Sequence, residues 1–248
     1  MEGEKALQEM DKGQRVLVII PAYNEAESIC NVVEELQRVC PEQDYLVVTD
    51  GSRDGTPELC RQKGYHLLKL SVNLGLAGCF QAGMKYAFRQ GYRYAVQLDG
   101  DGQHRPEYIA PMREKMQEGY DIVMGSRFLP REDGTPQEAG EKMSGMRSLG
   151  SFLIRRAIRL TTGVRVTDPT CGLRMYNRRM MDDFAHKLNY APEPDTISFL
   201  IKNGAKVAEV PVRIAEREGG QSYLKPMKAA AYMLKMLTSI LLVQNFRA

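Results

Sequence analysis

Five short apolar runs mark the first half of the chain: RVLVII (15–20), YLVVT (45–49), HLLKL (66–70), YAVQL (94–98) and DIVMG (121–125). Between them lie segments with helical period, roughly 25–39, 56–63, 76–90 and 106–118. Strands that alternate with helices predict βαβ units and a parallel sheet. The runs are apolar throughout instead of alternating with polar residues, which requires cover on both faces. The pattern therefore predicts an α/β fold with a mostly parallel, Rossmann-like sheet between two helical layers. Pro21 stops the first run, and Asp50-Gly51 stops the second.

The pattern changes after residue 129. PREDGTPQEAGEK (130–142) is polar and turn-rich and reads as a loop. A helix follows over roughly 146–161, then a turn-rich stretch at 163–174, helical segments near 177–186 and 196–203, a strand KVAEVPV (206–212), and a tail helix. This organisation predicts a polar extension at 1–14, a main domain at 15–225, and a C-terminal amphipathic helix at 226–248 that packs on the domain or faces a membrane. The most apolar stretch of the tail, AAAYMLKMLTSILLV (229–243), carries Lys235 at its middle. A central lysine costs about 2.5–3.5 kcal/mol on insertion, so the segment does not read as a membrane span. The N-terminal MEGEKALQEMDKGQR lacks an apolar core and does not read as a signal peptide.

A net charge of +3 gives no footprint for nucleic acid. The basic residues are uneven, however: Arg147, Arg155, Arg156, Arg159 and Arg165 fall close together with no acid among them. The five cysteines form no CxxC pair and read as reduced thiols.

Ligands of parallel sheets sit beyond the carboxyl ends of the strands. Asp50 follows the second run, Asp99 and Asp101 follow the fourth in LDGDGQH, and Glu25 follows the first in PAYNEAE. The sheet would bring these distant acids together. Two carboxylates and the Gln103 amide are hard oxygen donors, suited to Mg²⁺ or Mn²⁺. Magnesium commonly takes one or two carboxylates and leaves the other positions to water and substrate phosphates, which points to a metal-bound diphosphate. Gly100 lets the backbone come close. A turn with capping acids ahead of the helix that Pro106 begins is the other reading. Asp54 and Thr56 read as caps of the next helix. Gly75, in VNLGLAG, serves close packing or a ligand loop. Arg127, in GSRF after the fifth run, would reach phosphate oxygens. EREGGQSYLK (216–225) offers Arg217, Ser222 and Lys225 around two glycines, either as a phosphate-gripping loop or as a solvated one.

Taken together and in order, these motifs resemble those of the inverting glycosyltransferases of family two, which have the GT-A fold. The likeness is closest to the polyprenyl-phosphate sugar transferase branch, typified by dolichyl-phosphate mannose synthase. IIPAYNE resembles the family's opening nucleotide-binding motif, and LDGDGQH its DxDxQH. VTDGSRDGT resembles DDxSxDGT, with Thr49 in place of the first Asp. NLGLAGCFQAG resembles NxGxxxAxxxG, and GSRF the GSR motif. TDPTCGLRMYNR resembles DPxSGFRxxxR, with Cys171 and Leu173 in place of Ser and Phe. EREGGQSYLK resembles RxxGxSK, with Tyr223 in place of Lys. The resemblance spans about residues 15–228. It implies nucleotide contacts at Pro21, Ala22, Tyr23, Glu25, Asp50, Gly75, Asp99 and Gly100, and a metal site at Asp99, Asp101 and Gln103. It further implies catalytic parts for Asp101, Arg127, Asp168 and Arg217, and acceptor contacts at Arg127, Arg174 and Ser222.

The implied reaction moves a sugar from a UDP- or GDP-linked donor, with inversion, to a polyprenyl phosphate at the cytoplasmic face of a membrane. A lipid phosphate is already ionised at neutral pH, its second pKa being about 6, so it needs cations and no base. The arginines of 147–165 and Arg174 would supply them. Transfer to a glycan hydroxyl would need a base, for which Asp195 in YAPEPDTISF is the candidate; the preferred reading of Asp195 is the cap of the next helix. Asp168 would orient the acceptor site or hold a turn. A sugar-nucleotide-binding scaffold without activity is a third reading, which the complete set Asp99, Asp101, Gln103 and Arg127 disfavours. The basic helix and the tail would face a membrane surface, with a separate membrane-anchoring protein as a further expected partner.

Overall fold

The computed structural model describes residues 15–130, 145–187, 190–215 and 226–243. The expectations placed on residues 1–14, on Arg217, Ser222 and Lys225, and on the 130–142 loop beyond Pro130 lie outside them. Seven strands form one sheet: β1 (Val16–Ala22), β2 (Asp44–Asp50), β3 (Leu67–Leu70), β4 (Tyr94–Gln97), β5 (Ile122–Ser126), β6 (Arg174–Asn177) and β7 (Val207–Pro211). Their order across the sheet is β3-β2-β1-β4-β6-β5-β7. All pairings are parallel except those of β6, which runs antiparallel to β4 and to β5.

Among the described residues eight α-helices accompany the strands: α1 (Ile29–Val39), α2 (Thr56–Gln62), α3 (Gly75–Arg89), α4 (Ile109–Gln117), α5 (Gly145–Thr162), α6 (Arg178–His186), α7 (Pro194–Lys202) and, after the last strand, α8 (Pro226–Leu241). The two-sided burial expected from the strand composition is met residue by residue. Leu17 and Ile19 of β1 face one core with Phe80 of α3, Ile154 of α5, Phe184 of α6, Ile197 of α7, and Met236 and Ile240 of α8. Val16, Val18 and Ile20 face a second core with Val33 of α1, Cys60 of α2 and Met112 of α4. The tail helix α8 therefore packs on the domain.

Two readings of the chain need correction. β1 does not stop at Pro21; it continues to Ala22 and stays in register with β2, Pro21 opposite Val48. The pairing of β1 with β4 covers only Val16–Ile19, so Pro21 has no strand on its β4 side and its missing N–H costs the ladder little. The second correction is β6, a strand within what reads as turn and helix. It inserts between β4 and β5 and reverses the local direction, so that the residues preceding it, 167–172, stand at the carboxyl edge of the other strands.

Candidate active site

Three loops meet at that edge and lace to one another. After β1, Asn24 adopts φ 57°, a left-handed conformation that asparagine tolerates better than most residues. Its backbone N–H donates to the Ser52 hydroxyl (3.2 Å), and its side-chain oxygen accepts from Arg53 N–H (2.9 Å). Glu25 N–H donates to Thr56 Oγ1 (2.9 Å), and Ala26 N–H to Asp54 Oδ2 (3.1 Å). Asp54 also accepts from Thr56 N–H (3.0 Å) and the Thr56 hydroxyl (2.6 Å). The pair read as caps does not cap α2, whose N-cap is Gly55 with no side-chain hydrogen bond; it clamps the loop carrying Pro21, Ala22, Tyr23 and Glu25. Burial opposes the Asp54 charge, but the donors from Thr56 and Ala26 outweigh it and hold the carboxyl below its ordinary value.

Asp50 ends β2, nearly buried. Its Oδ1 accepts from Leu74 N–H (2.6 Å), and its carbonyl accepts from the Asn73 amide (3.1 Å). Asp50 thereby fixes the turn that leads into Gly75, which opens α3 at φ +71°.

The DGDG turn lies against the first loop. The Ser28 hydroxyl is 2.7 Å from Gly100 O and 3.0 Å from Glu25 Oε2. A side chain at position 100 would put its Cβ 3.0 Å from Pro21 O, so glycine permits this contact. Asp101 is buried and takes Gln103 N–H on Oδ1 (3.1 Å). Asp99 accepts from the Gln97 amide on Oδ1 (2.8 Å), and its Oδ2 pairs with His104 Nδ1 at 3.2 Å. His104 Nε2 lies 4.0 Å from Cys171 Sγ. Burial alone would raise Asp99 and lower His104, but their mutual attraction wins, so the carboxyl is pushed down and the imidazole up. Gly172 closes the contact from the other side: an added Cβ would meet Asp99 Oδ2 at 2.8 Å and His104 Cε1 at 3.0 Å. Among the described residues no trio of His, Cys, Asp or Glu forms a closed metal cage. Two carboxylates and an amide on one short turn, each carboxylate oxygen keeping a second lone pair, fit a hard divalent cation that takes its remaining oxygens from a substrate diphosphate.

Across the edge, Arg127 follows β5 and Asp168 precedes β6. Asp168 is fully buried. Its Oδ2 accepts from Arg127 Nε (2.6 Å) and Arg127 N–H (3.1 Å), and its Oδ1 from Arg127 Nη2 (2.8 Å) and the Thr170 hydroxyl (3.0 Å). Burial works against the Arg127 charge, but Asp168 more than offsets it and keeps the guanidinium above its ordinary value. Glu209 of β7 supports this pair, accepting from Thr167 N–H (2.7 Å), the Thr167 hydroxyl (2.9 Å) and Asp168 N–H (2.7 Å). Nothing in the sequence pattern marks Glu209, because its partners come from a different strand connection.

Arg174 does not stand where an acceptor-gripping cation would. It is 2% exposed, and its guanidinium donates to the carbonyls of Cys171 (2.9 Å), Pro169 (2.7 Å) and Pro192. It props the turn that carries Asp168 and Gly172. Asp195 is not the N-cap of α7; that position is Glu193, with Asp195 in the first turn. The Asp195 carboxylate instead accepts from the Ser239 hydroxyl of α8 at 2.6 Å.

The family model for glycosyl transferase family 2 matches residues 17–184. The chain is 32% identical, over 90% of its length and 86% of the relative's, to the polyprenol monophosphomannose synthase of Mycolicibacterium smegmatis. It is 33% identical, over 84% of its length and 86% of the relative's, to the undecaprenyl-phosphate mannosyltransferase of Micrococcus luteus. Among solved structures it resembles glucosyl-3-phosphoglycerate synthase from Mycobacterium tuberculosis in complex with Mn²⁺, UDP-glucose and phosphoglyceric acid. The TM-score is 0.68 and the identity 17%, over 94% of this chain and 82% of that one, a likeness of fold.

Proposed function

The chain belongs to glycosyl transferase family 2, and on that premise we propose that it transfers a hexose from a nucleotide-sugar to a polyprenyl phosphate with inversion at the anomeric carbon. The observation that carries this reading is the shared edge itself: the DGDG turn, the PAYNE loop, Asp50 and the Arg127–Asp168 pair all stand beyond the same ends of one sheet.

The nucleoside end of the donor lies along Pro21, Ala22, Tyr23, Glu25 and Asp50, with Gly75 bounding that side. Its diphosphate lies over Gly100 toward Asp99, Asp101 and Gln103, which would hold Mg²⁺ or Mn²⁺. A cation bound there would supply the charge neutralisation that the departing diphosphate needs. The acceptor oxygen is a phosphate oxygen, ionised at neutral pH. It attacks the anomeric carbon as the bond to the donor diphosphate breaks, and no proton has to leave the nucleophile. Arg127, locked by Asp168, presents a preset guanidinium to this exchange and needs no reorganisation during it. Asp101 supplies its carboxylate from a turn pinned by Gln103 N–H. Arg217 and Ser222 belong to the same reading as diphosphate and acceptor contacts.

Incubating the chain with polyprenyl phosphate, Mg²⁺ or Mn²⁺, and labelled UDP- and GDP-hexoses tests the assignment. Mannose is the first sugar to try, since two relatives are named for it. Label entering the organic phase with one donor is the expected result. Label that enters only a glycan hydroxyl acceptor would overturn it. Among the described residues no helix is long and apolar enough to cross a membrane. As part of the same proposal, the lipid acceptor places the enzyme's work at a membrane surface, with the inner face and a separate anchoring protein as further parts of the reading.

A further inference from the structure

Among the described arginine side chains of α5, Arg155 differs from Arg156 and Arg159. Arg156 and Arg159 are exposed. Arg155 is half-buried, its guanidinium 5.0 Å from the centre of the Phe128 ring and 5.9 Å from that of Phe152. Arg127 approaches the same Phe128 ring at 5.7 Å. Arg155 Nη1 lies 3.5 Å from the carbonyl of Thr167, the residue before Asp168. The two guanidiniums thus flank one aromatic ring at the edge of the site.

Their charges are not equivalent. Arg127 is neutralised in place by a bidentate carboxylate. Among the described residues no carboxylate pairs with Arg155, and its Nε is buried without a hydrogen-bond partner. A buried donor left unmet is costly, and native structures keep few of them. On the same helix, Leu149, Phe152 and Leu153 are exposed. Arg155 therefore stands where the polar edge of the site meets an apolar surface.

Resting on the acceptor reading above, we propose that Arg155 is the phosphate-binding residue of the acceptor subsite, its guanidinium taking the phosphate monoester of a lipid whose chain lies along the exposed apolar residues of α5. Phe128 and Phe152 flank the guanidinium, whose remaining donors take the phosphate oxygens. Three sources of phosphate compete for such a group: the acceptor, the donor diphosphate and anionic lipid headgroups.

The test uses the full chain in neutral detergent, with farnesyl phosphate as the soluble probe and farnesol as its uncharged counterpart. Arg155→Ala should weaken farnesyl phosphate binding about 10- to 100-fold, the range for losing a charged hydrogen bond. Binding of farnesol and of nucleoside diphosphate should stay within about threefold of the unchanged chain, and Arg155→Lys should fall between, keeping the charge without the planar fork. Unchanged farnesyl phosphate binding overturns the proposal. Equal losses for farnesol mean packing alone, equal losses for nucleoside diphosphate mean a donor contact, and an equal loss of flotation with acceptor-free anionic vesicles means general surface charge; each also overturns it. Where Arg155→Ala fails to fold by circular dichroism, the lysine variant decides, a loss confined to farnesyl phosphate supporting the proposal. Transfer by the unchanged chain is measured alongside. Selective loss of binding in a chain that transfers no sugar sinks the functional reading and leaves this one standing, while normal transfer with Arg155-independent binding does the reverse.

Discussion

A single methyl group at position 172 would collide with Asp99 Oδ2 and His104 Cε1. Both belong to the turn proposed to hold the metal and diphosphate, and neither can move without dragging the other, since they pair at 3.2 Å. Gly172→Ala should therefore keep its fold by circular dichroism and lose turnover by at least about 10-fold, because displacements near an ångström cost up to about 10²-fold. Wild-type kinetics from this variant would show that the position of Asp99 does not matter. Asp168→Asn sets an amide N–H₂ against the Arg127 donors. Expected is a fall in kcat of about 10²-fold with the donor KM changed little, the size of effect seen when one preorganised donor is lost; steady-state kinetics on both substrates checks it. At this scale the sequence is only partly transparent. Asp50, Asp99 and Asp101 could be picked out because strand ends advertise them. Gly172, Glu209 and Ser28 could not, because each earns its place by contact with a loop far away in the chain. Arg174 misled for the opposite reason: an arginine in a motif says nothing of whether it faces a ligand or three backbone carbonyls.

Elements inherit those residue contacts as constraints on where they sit. The helices and six of the strands follow from apolar runs and helical period, with ends that shift by a few residues. β6 escaped because four residues beginning with arginine, RMYN, are too few to show a period. Its reversal matters, since it carries Asp168 and Gly172 to the carboxyl edge from the amino end of a strand, where a search beyond carboxyl ends does not look. The far end of β6 is tied by Asp121, which accepts from Asn177 Nδ2 (2.8 Å), Arg179 Nη2 (2.8 Å) and Lys206 N–H (2.8 Å). Burial would raise this carboxyl, but Arg179, Lys206 N–H and Asn177 together hold it below its ordinary value. A lowered acid contributes stability that is complete above the unfolded value, about 3.9, and is lost as pH falls through the folded one. Asp121→Asn should cost about 1–3 kcal/mol at neutral pH, and the gap should narrow below about pH 4, as thermal melts across pH would show. Asp195 poses the comparable question for α8. If it only anchors Ser239, Asp195→Asn lowers the melting temperature by a few degrees and leaves transfer largely intact; near-complete loss of transfer with an unchanged melt would restore it as a base.

For the molecule as a whole, the distribution of exposed apolar side chains is the feature a soluble enzyme would not need. Isolated exposed leucines are ordinary. On α5, however, Leu149, Phe152, Leu153 and Leu160 fall at spacings of one helical face, and on α8 Leu234 and Leu241 do the same, with Leu242 exposed just beyond the helix. The two helices pack on each other, Gly150 allowing Met233 to approach so closely that a Cβ there would lie 2.7 Å from Met233 Cγ. The α5 stripe adjoins the site through Phe152, which with Phe128 flanks Arg155. Arg156, Arg159 and Lys235 are exposed on the same helices, and each cation near an anionic surface adds about 1 kcal/mol, falling with salt over about 8–10 Å. Apolar burial adds about 0.8 kcal/mol per CH₂. Neither term alone would give firm attachment; on the proposed reading the two together would give reversible docking, with the active-site edge brought to a lipid phosphate. The chain should therefore float with anionic vesicles at low salt and less so at high salt. Leu234→Glu combined with Leu241→Glu, both exposed on α8, should cut flotation by at least about 10-fold while transfer to short, detergent-soluble acceptors persists. Equal flotation by this variant would mean that the enzyme reaches its lipid by another face.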